Sequence, residues 1–244
     1  MAESGRRYFA RSVGALSLAG LLALGLSTIS PVDFSRAAAP DRHTESVEGR
    51  ALVIDGDTIV IEGTRVRLEG IDAPESGQQC LRLDGQSWRC GIAAAQALAE
   101  LVSDKHVRCE GSERDRYDRL IGVCRVGSLE INAEMVRRGL AWAFVRYSKR
   151  LLNEEREARS RRLGIWQVEN EPAWDHRARR WAQAQAQAPG GCAIKGNISR
   201  QGRIYHMPGS AYYDAVEINP SRGERWFCTE NEAIAAGWRA AWTK

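Results

Sequence analysis

Between residues 47 and 131, short apolar runs alternate with polar positions and are broken by turn residues. They predict strands at 48–54, 58–62, 65–68, 106–109 and 120–126. Asp55-Gly56-Asp57 is turn chemistry; Ile59 and Ile61 begin the strand after it, and Glu62-Gly63 ends that strand. In the next run Val66 and Leu68 fall on one face while Arg65, Arg67 and Glu69 fall on the other, as a period of two requires. A helical spacing of Ile92, Ala95, Leu98, Ala99 and Val102 predicts a helix over 91–102. Further helices are expected at 132–138, with Asn132 as its N-cap and Gly139 as its stop, and at 151–162. This order describes a mainly β unit with helices, a five-stranded barrel of the OB type over residues 47–166 with helices packed around it.

The pattern changes at both ends of the chain. Arg6, Arg7 and Arg11 precede an apolar run at 13–29, and Ala37-Ala38-Ala39 offers a small-residue cleavage site, so 1–39 is expected to be a signal peptide. The chain is then exported, periplasmic or secreted; a retained run 13–29 would instead anchor it in a membrane. After Trp166, residues 167–191 read as a helical, low-complexity linker whose Ala/Gln repeat ends at Pro189-Gly190-Gly191. Residues 192–242 form a small module with strand-like pieces around Ile204-Tyr205-His206 and Trp226-Phe227-Cys228, then a helix at 230–236 capped by Thr229. Its aromatics, Tyr205, Tyr212, Tyr213, Trp226, Phe227 and Trp238, are expected to form its core. A lone His206 without clustered ligands reads as structural.

The 244 residues carry six cysteines, all beyond residue 39 and falling into three local pairs: Cys80 with Cys90, Cys109 with Cys124, and Cys192 with Cys228. An even count in an exported chain points to disulfides, although six cysteines allow about fifteen pairings. No C-x-x-C or Cys/His ligand spacing points to a metal instead. The first pair would staple an apparent insertion at 76–90, and the last would support a core too small to stand well alone. The net charge of +4 says less, because residues 1–39 hold four arginines against two acids and leave about +2 for the remainder. The basic stretch from Arg146 to Arg162 is interleaved with Glu154, Glu155 and Glu157 and suits a solvated helix face.

The candidate chemistry lies in the run IDGDTIVIEGTRVRLEGIDAPE, residues 54–75. Each of Asp57, Arg67, Asp72 and Glu75 suits a turn or an exposed strand face by itself. Together, with Pro74 stiffening the loop between two acids, they offer carboxylates for a hard cation such as Ca2+ and an arginine for a phosphodiester. IDGDT, RVRLEGIDAPE and the later DRYDR resemble the three signature segments of the thermonuclease family, the staphylococcal-nuclease-like phosphodiesterases. The resemblance implies that Asp57, Asp72 and the carbonyl of Ala73 bind Ca2+, and that Glu75 serves as general base for water. It implies that Arg67 and Arg119 hold the scissile phosphate and that Arg116 and Tyr117 meet a neighbouring one. Tyr147 matches a position that meets the nucleotide base, and the second such tyrosine is replaced by Val145 or Phe144.

The last fifty residues resemble a small module of some bacterial nuclease-like proteins, called a sunset domain; some such proteins are labelled succinoglycan biosynthesis proteins. The expected function is an exported Ca2+-dependent nuclease acting on DNA, with RNA left open as a second substrate. Two alternatives stay open: an inactive OB domain that binds nucleic acid, and an envelope or polysaccharide-related protein whose main function lies in the C-terminal module, with a ligand of its own.

Overall fold

The structure, a computed structural model, describes residues 44–210 and 212–241; the predicted signal segment 1–39 with its apolar run lies outside the described residues. Among the described residues no helix is long and apolar enough to cross a membrane.

The first strands are β1 (Glu45–Gly49), β2 (Ala51–Val53), β3 (Thr58–Ile61) and β4 (Thr64–Leu68). A short β5 (Ile71–Asp72) and the ribbon β6 (Cys80–Leu81) and β7 (Ser87–Trp88) lead into helix α1 (Cys90–Val102). Then come β8 (Val107–Arg114), β9 (Leu120–Val126), β10 (Leu129–Glu130), α2 (Ile131–Arg137), β11 (Trp142–Ala143) and α3 (Leu152–Ser160). The main sheet runs β1-β8-β9-β4-β3-β2, with β10 beside β9; β4 and β9 are parallel and the other pairings antiparallel.

Two expectations about this sheet need correction. It has seven strands rather than five, partly because the strand expected at 48–54 breaks at Arg50: β1 pairs with β8 while β2 pairs with β3. One stretch of chain thereby serves both edges, and the sheet curls into a half-barrel. The class is mixed α/β rather than mainly β, since five α-helices pack with the sheets among the described residues, and the linker expected to be helical holds one of them, α4 (Ala173–Gln187). Alanine, glutamine and arginine are good helix formers, and Pro172 stands immediately before the first turn, where its missing N–H costs nothing.

Ile59, Ile61, Val66, Leu68 and Leu120 of the sheet bury one face against Ala94, Leu98 and Leu101 of α1 and Met135 and Val136 of α2. Asn132 is not an N-cap. It lies inside α2, fully buried, donating to the carbonyls of Glu69 and Gly122 and accepting from the N–H of Cys124. Its amide stitches the helix to the sheet, using donors and acceptors that would otherwise be buried unpaired. Gly139 follows the helix with φ +66°, as a helix stop requires.

All three cysteine pairs are disulfides: Cys80–Cys90, Cys109–Cys124 between β8 and β9, and Cys192–Cys228. The insertion at 76–90 forms the β6/β7 ribbon, and Trp88 packs with its disulfide, Trp142 and Ile165 rather than projecting to solvent.

The C-terminal sheet has the order β14 (Arg225–Phe227), β12 (Ile194–Ser199), β13 (Gly202–His206) and β15 (Arg239–Ala240), and α5 (Glu230–Ala235) starts at Thr229, whose hydroxyl accepts from the N–H of Glu232. Tyr205, Phe227 and Trp238 fill its core, Tyr213 packs with Ala184 and Ala193, and Tyr212 is exposed. His206 is buried with Nε2 against Asn197 Oδ1 at 3.0 Å. Helix α4 joins the two parts: Trp174 packs against the Trp142 and Ile165 cluster, and Trp181, two turns later, packs against the C-terminal core.

Candidate active site

The turn before β3, the end of β4 and the loop after β5 deliver the expected acids and arginine to one place. The turn is closed by Asp55, whose Oδ1 accepts from the N–H of Asp57, and Gly56 lets it approach the next loop: a Cβ there would stand 2.7 Å from the Cβ of Ala73. Asp57 is buried, its Oδ1 accepting from Arg67 at 2.7 Å and Thr58 at 3.1 Å, and its Oδ2 from the N–H of Ala73 at 3.2 Å. Arg67, on the polar face of β4 that the alternation predicts, also donates to Asp72 Oδ1 at 3.0 Å. Asp72 is 0% exposed and fixed by the pairing of β5 with β11, where Trp142 is its partner. Burial works against the charge on Arg67, but Asp57 and Asp72 outweigh it and hold the guanidinium more firmly protonated than usual. Asp55 is pushed up to about 7, first by burial and then by Asp57.

Glu75 is placed from below by α1. Gly91 opens that helix where any side chain would collide with the Glu75 carbonyl, since a Cβ would lie 1.8 Å from its oxygen. Gln78, 1% exposed, accepts from the N–H of Glu75 and donates through its amide to the carbonyl of Glu171 at 2.7 Å. Burial raises the Glu75 carboxyl above its ordinary value, opposed mainly by a hydrogen bond from Arg177.

Arg177 comes from α4, in the stretch whose composition reads as a linker. Its Nη2 donates to Asp72 Oδ2 at 2.7 Å and its Nη1 to Asp72 Oδ1 at 3.0 Å and Glu75 Oε1 at 2.6 Å. Burial disfavours its charge, yet the two carboxylates raise its pKa above the usual arginine value. Sequence reading misses this residue. The signal for it is the spacing of Trp174 and Trp181 on either side, an apolar stripe at helical period within a run read as a helical, low-complexity linker.

Arg119 joins through the β8–β9 loop. Asp115 folds that loop by accepting from the N–H groups of Tyr117 and Arg119 and from the Arg119 side chain at 2.7 Å, and Arg119 Nη1 reaches Thr58 Oγ1 at 3.3 Å. A continuous set of contacts therefore runs Arg119, Thr58, Asp57, Arg67, Asp72, Arg177, Glu75. Arg116 lies over the Tyr117 ring, and both face Glu230 at the start of α5: Arg116 Nη1 is 3.7 Å from Glu230 Oε2, and the Tyr117 hydroxyl is 3.5 Å from it. Tyr147 is exposed and stands against Phe144 at 4.9 Å.

Carboxylates and a backbone carbonyl are donors of the right kind for a hard cation. Their present partners are arginines: both Asp72 oxygens accept from guanidinium groups, and among the described residues no three ligating side chains gather into a cage. Asp57, Asp72 and Ala73 thus fit Ca2+ in chemistry, with Arg177 standing over the acids.

Residues 65–168, which hold most of this constellation, match the family model described as staphylococcal nuclease homologue. The chain is also 40% identical over 132 residues to the succinoglycan biosynthesis protein ExoI of Rhizobium meliloti (strain 1021), an alignment covering 53% of this chain and 69% of that protein. The chain belongs to the staphylococcal nuclease homologue family. It is 37% identical over 113 residues to the micrococcal nuclease of Shigella flexneri, covering 41% of this chain and 59% of that one. A protein of Haemophilus influenzae described as an uncharacterized endonuclease is 34% identical over 104 residues, and the chain spans 52% of it. Residues 176–240 match a second family model, described as ArfC, which takes in most of α4, Arg177 included; all of α4 and the C-terminal module lie outside the nuclease-homologue match.

Proposed function

We propose that the chain is an exported, Ca2+-dependent nuclease that hydrolyses phosphodiester bonds of DNA and RNA. The observation that carries this reading is the convergence of Asp57, Arg67, Asp72 and Glu75, tied to Arg119 through Thr58. A module that only binds nucleic acid needs cations and stacking rings, and has no chemical use for two buried acids and a half-buried third held against them. Arg67 bonds Asp57 Oδ1 directly and Arg119 reaches the same oxygen through Thr58, and two guanidinium groups gathered there suit the non-bridging oxygens of one phosphate and the charge that grows on them as water attacks. Glu75 is the carboxylate placed to orient that water and take its proton; its burial keeps it a stronger base than a free glutamate. Once Arg177 is off the acids, Asp57, Asp72 and the Ala73 carbonyl would hold Ca2+, which would supply positive charge against the phosphate.

Arg116 and Tyr117 are assigned to a neighbouring phosphate and Tyr147 to an unpaired base, where its exposed ring is free to stack. The curled sheet is read as an OB-type barrel, supported by the return of the order β2-β3-β4-β9-β8-β1 to one stretch of chain. The unit is taken as 47–166, with α4 as the helical connection and 192–242 as the module. Export is supported by three disulfides, which persist in oxidising compartments.

The test is cleavage of single-stranded and duplex DNA and of RNA by the purified chain, with Ca2+ or with chelator, beside Glu75→Gln and Arg119→Ala. The expectation is Ca2+-dependent cleavage that falls by roughly a hundredfold or more in each variant. No metal-dependent cleavage in wild type, or variants as fast as wild type, would defeat the reading.

A further inference from the structure

We propose that Arg177 is a site residue in its own right, occupying the cation position at Asp72 while bound also to Glu75, so that a divalent ion binds only by displacing it from Asp72. The proposal rests on the reading of Asp57 and Asp72 as cation ligands. Three hydrogen bonds of 2.6–3.0 Å from one guanidinium engage both oxygens of Asp72 and one of Glu75. The Asp72 oxygens are among those assigned to the cation, and two positive charges cannot share them at contact distance. A bidentate arginine on a fully buried carboxylate is a strong competitor, because removing it leaves that charge with Arg67 alone.

The placement is built rather than incidental. Helix α4 is fixed on one side of Arg177 by Trp174, which stacks on Phe144 at 5.7 Å and meets Trp142 edge-on at 6.1 Å, and on the other by Trp181 in the C-terminal core. At its foot the Gln78 amide grips the Glu171 carbonyl, and Arg179 bonds the Glu171 carboxylate through two nitrogens, both at 2.8 Å. The backbone of Arg177 is therefore held over the site, whereas its long side chain, 39% exposed, has solvent to swing into. Because Arg177 lies in the ArfC-matching segment, this cation is brought to the nuclease-homologue residues by the C-terminal part of the chain.

The deciding experiment is calorimetric titration of Ca2+ into the full chain, Arg177→Gln and Arg177→Lys, with circular dichroism to verify folding. Arg177→Gln is expected to bind Ca2+ roughly tenfold or more tightly than wild type, a coupling ordinary for direct competition. Arg177→Lys, which keeps the charge but cannot bridge both acids, should fall between them. The Ca2+ concentration that half-saturates cleavage should drop in the same order. Unchanged or weaker binding in the variants overturns the proposal while leaving the Ca2+ reading intact. Absence of Ca2+ binding in all three proteins overturns both. If Arg177→Gln does not fold, Arg177→Lys decides alone, and an affinity equal to wild type counts against the proposal.

Discussion

Gln78 accepts from the N–H of Glu75 and donates to the carbonyl of Glu171, 93 residues further along the chain. It ties the loop of the candidate base to the foot of the helix carrying Arg177. Gln78→Leu keeps the volume but takes the side-chain partner from a half-buried N–H and a half-buried carbonyl. The expected cost is about 2 kcal/mol or more in urea unfolding, together with a loss of nuclease activity measured under conditions where the variant is folded. A variant as stable and as active as wild type would show that the bridge is incidental.

The acids and arginine of residues 54–75 were legible because local rules place them: turn chemistry fixes Asp57, period-two alternation puts Arg67 on the polar face, and Pro74 stiffens the loop between Asp72 and Glu75. Asn132 was misread because an N-cap and a buried stitch use the same short amide, and only the sheet packed beside α2 distinguishes them. The break at Arg50 was hidden since both halves have strand-like residues, and what separates them is a change of pairing partner. Arg177 is legible only in part. Its partners are 102 and 105 positions away, and the Trp174 and Trp181 stripe marks the packed face of its helix without stating which arginine beside it meets a buried acid.

Gly91 should tolerate no side chain. In Gly91→Ala the new carbon would start 1.8 Å from the Glu75 carbonyl oxygen, and the obstacle is backbone rather than a flexible tip. Either α1 or the Glu75 loop must move. Destabilisation of about 2–4 kcal/mol and a marked loss of cleavage are expected, read by thermal melting and the nuclease assay. Retained activity in a variant of wild-type stability would mean that the approach of α1 to Glu75 is looser than described.

Asp115 should matter most at neutral pH. Burial pushes its carboxyl up, but the N–H of Arg119, the Arg119 guanidinium and the N–H of Tyr117 outweigh burial and hold it below the ordinary aspartate value. A depressed folded-state pKa contributes stability that is present above the unfolded value and is lost as pH falls through the folded one. Asp115→Asn is therefore expected to be less stable by about 1–2 kcal/mol at pH 7, with the gap narrowing only in acid below the ordinary carboxylate range. Urea unfolding of both proteins between neutral and strongly acidic pH checks this, and a gap independent of pH would assign the loss to packing instead.

Glu230 faces the two residues assigned to a neighbouring phosphate. Its Oε2 lies 3.7 Å from Arg116 and 3.5 Å from the Tyr117 hydroxyl, while Oε1 accepts from Tyr205 at 2.6 Å. A carboxylate there meets the same groups that a phosphate would, and it opposes a polyanion approaching along that side. Glu230→Gln keeps an oxygen for Tyr205 and removes the charge. Because Arg116 is largely exposed, the effect is expected to be modest: KM for single-stranded DNA lower by about threefold, with kcat little changed. The gain should shrink with added salt, since Arg116 would then contact phosphate through a screened charge. Steady-state kinetics at two ionic strengths measures both effects. An unchanged or higher KM would mean that Arg116 and Tyr117 serve to dock the C-terminal module rather than to hold substrate.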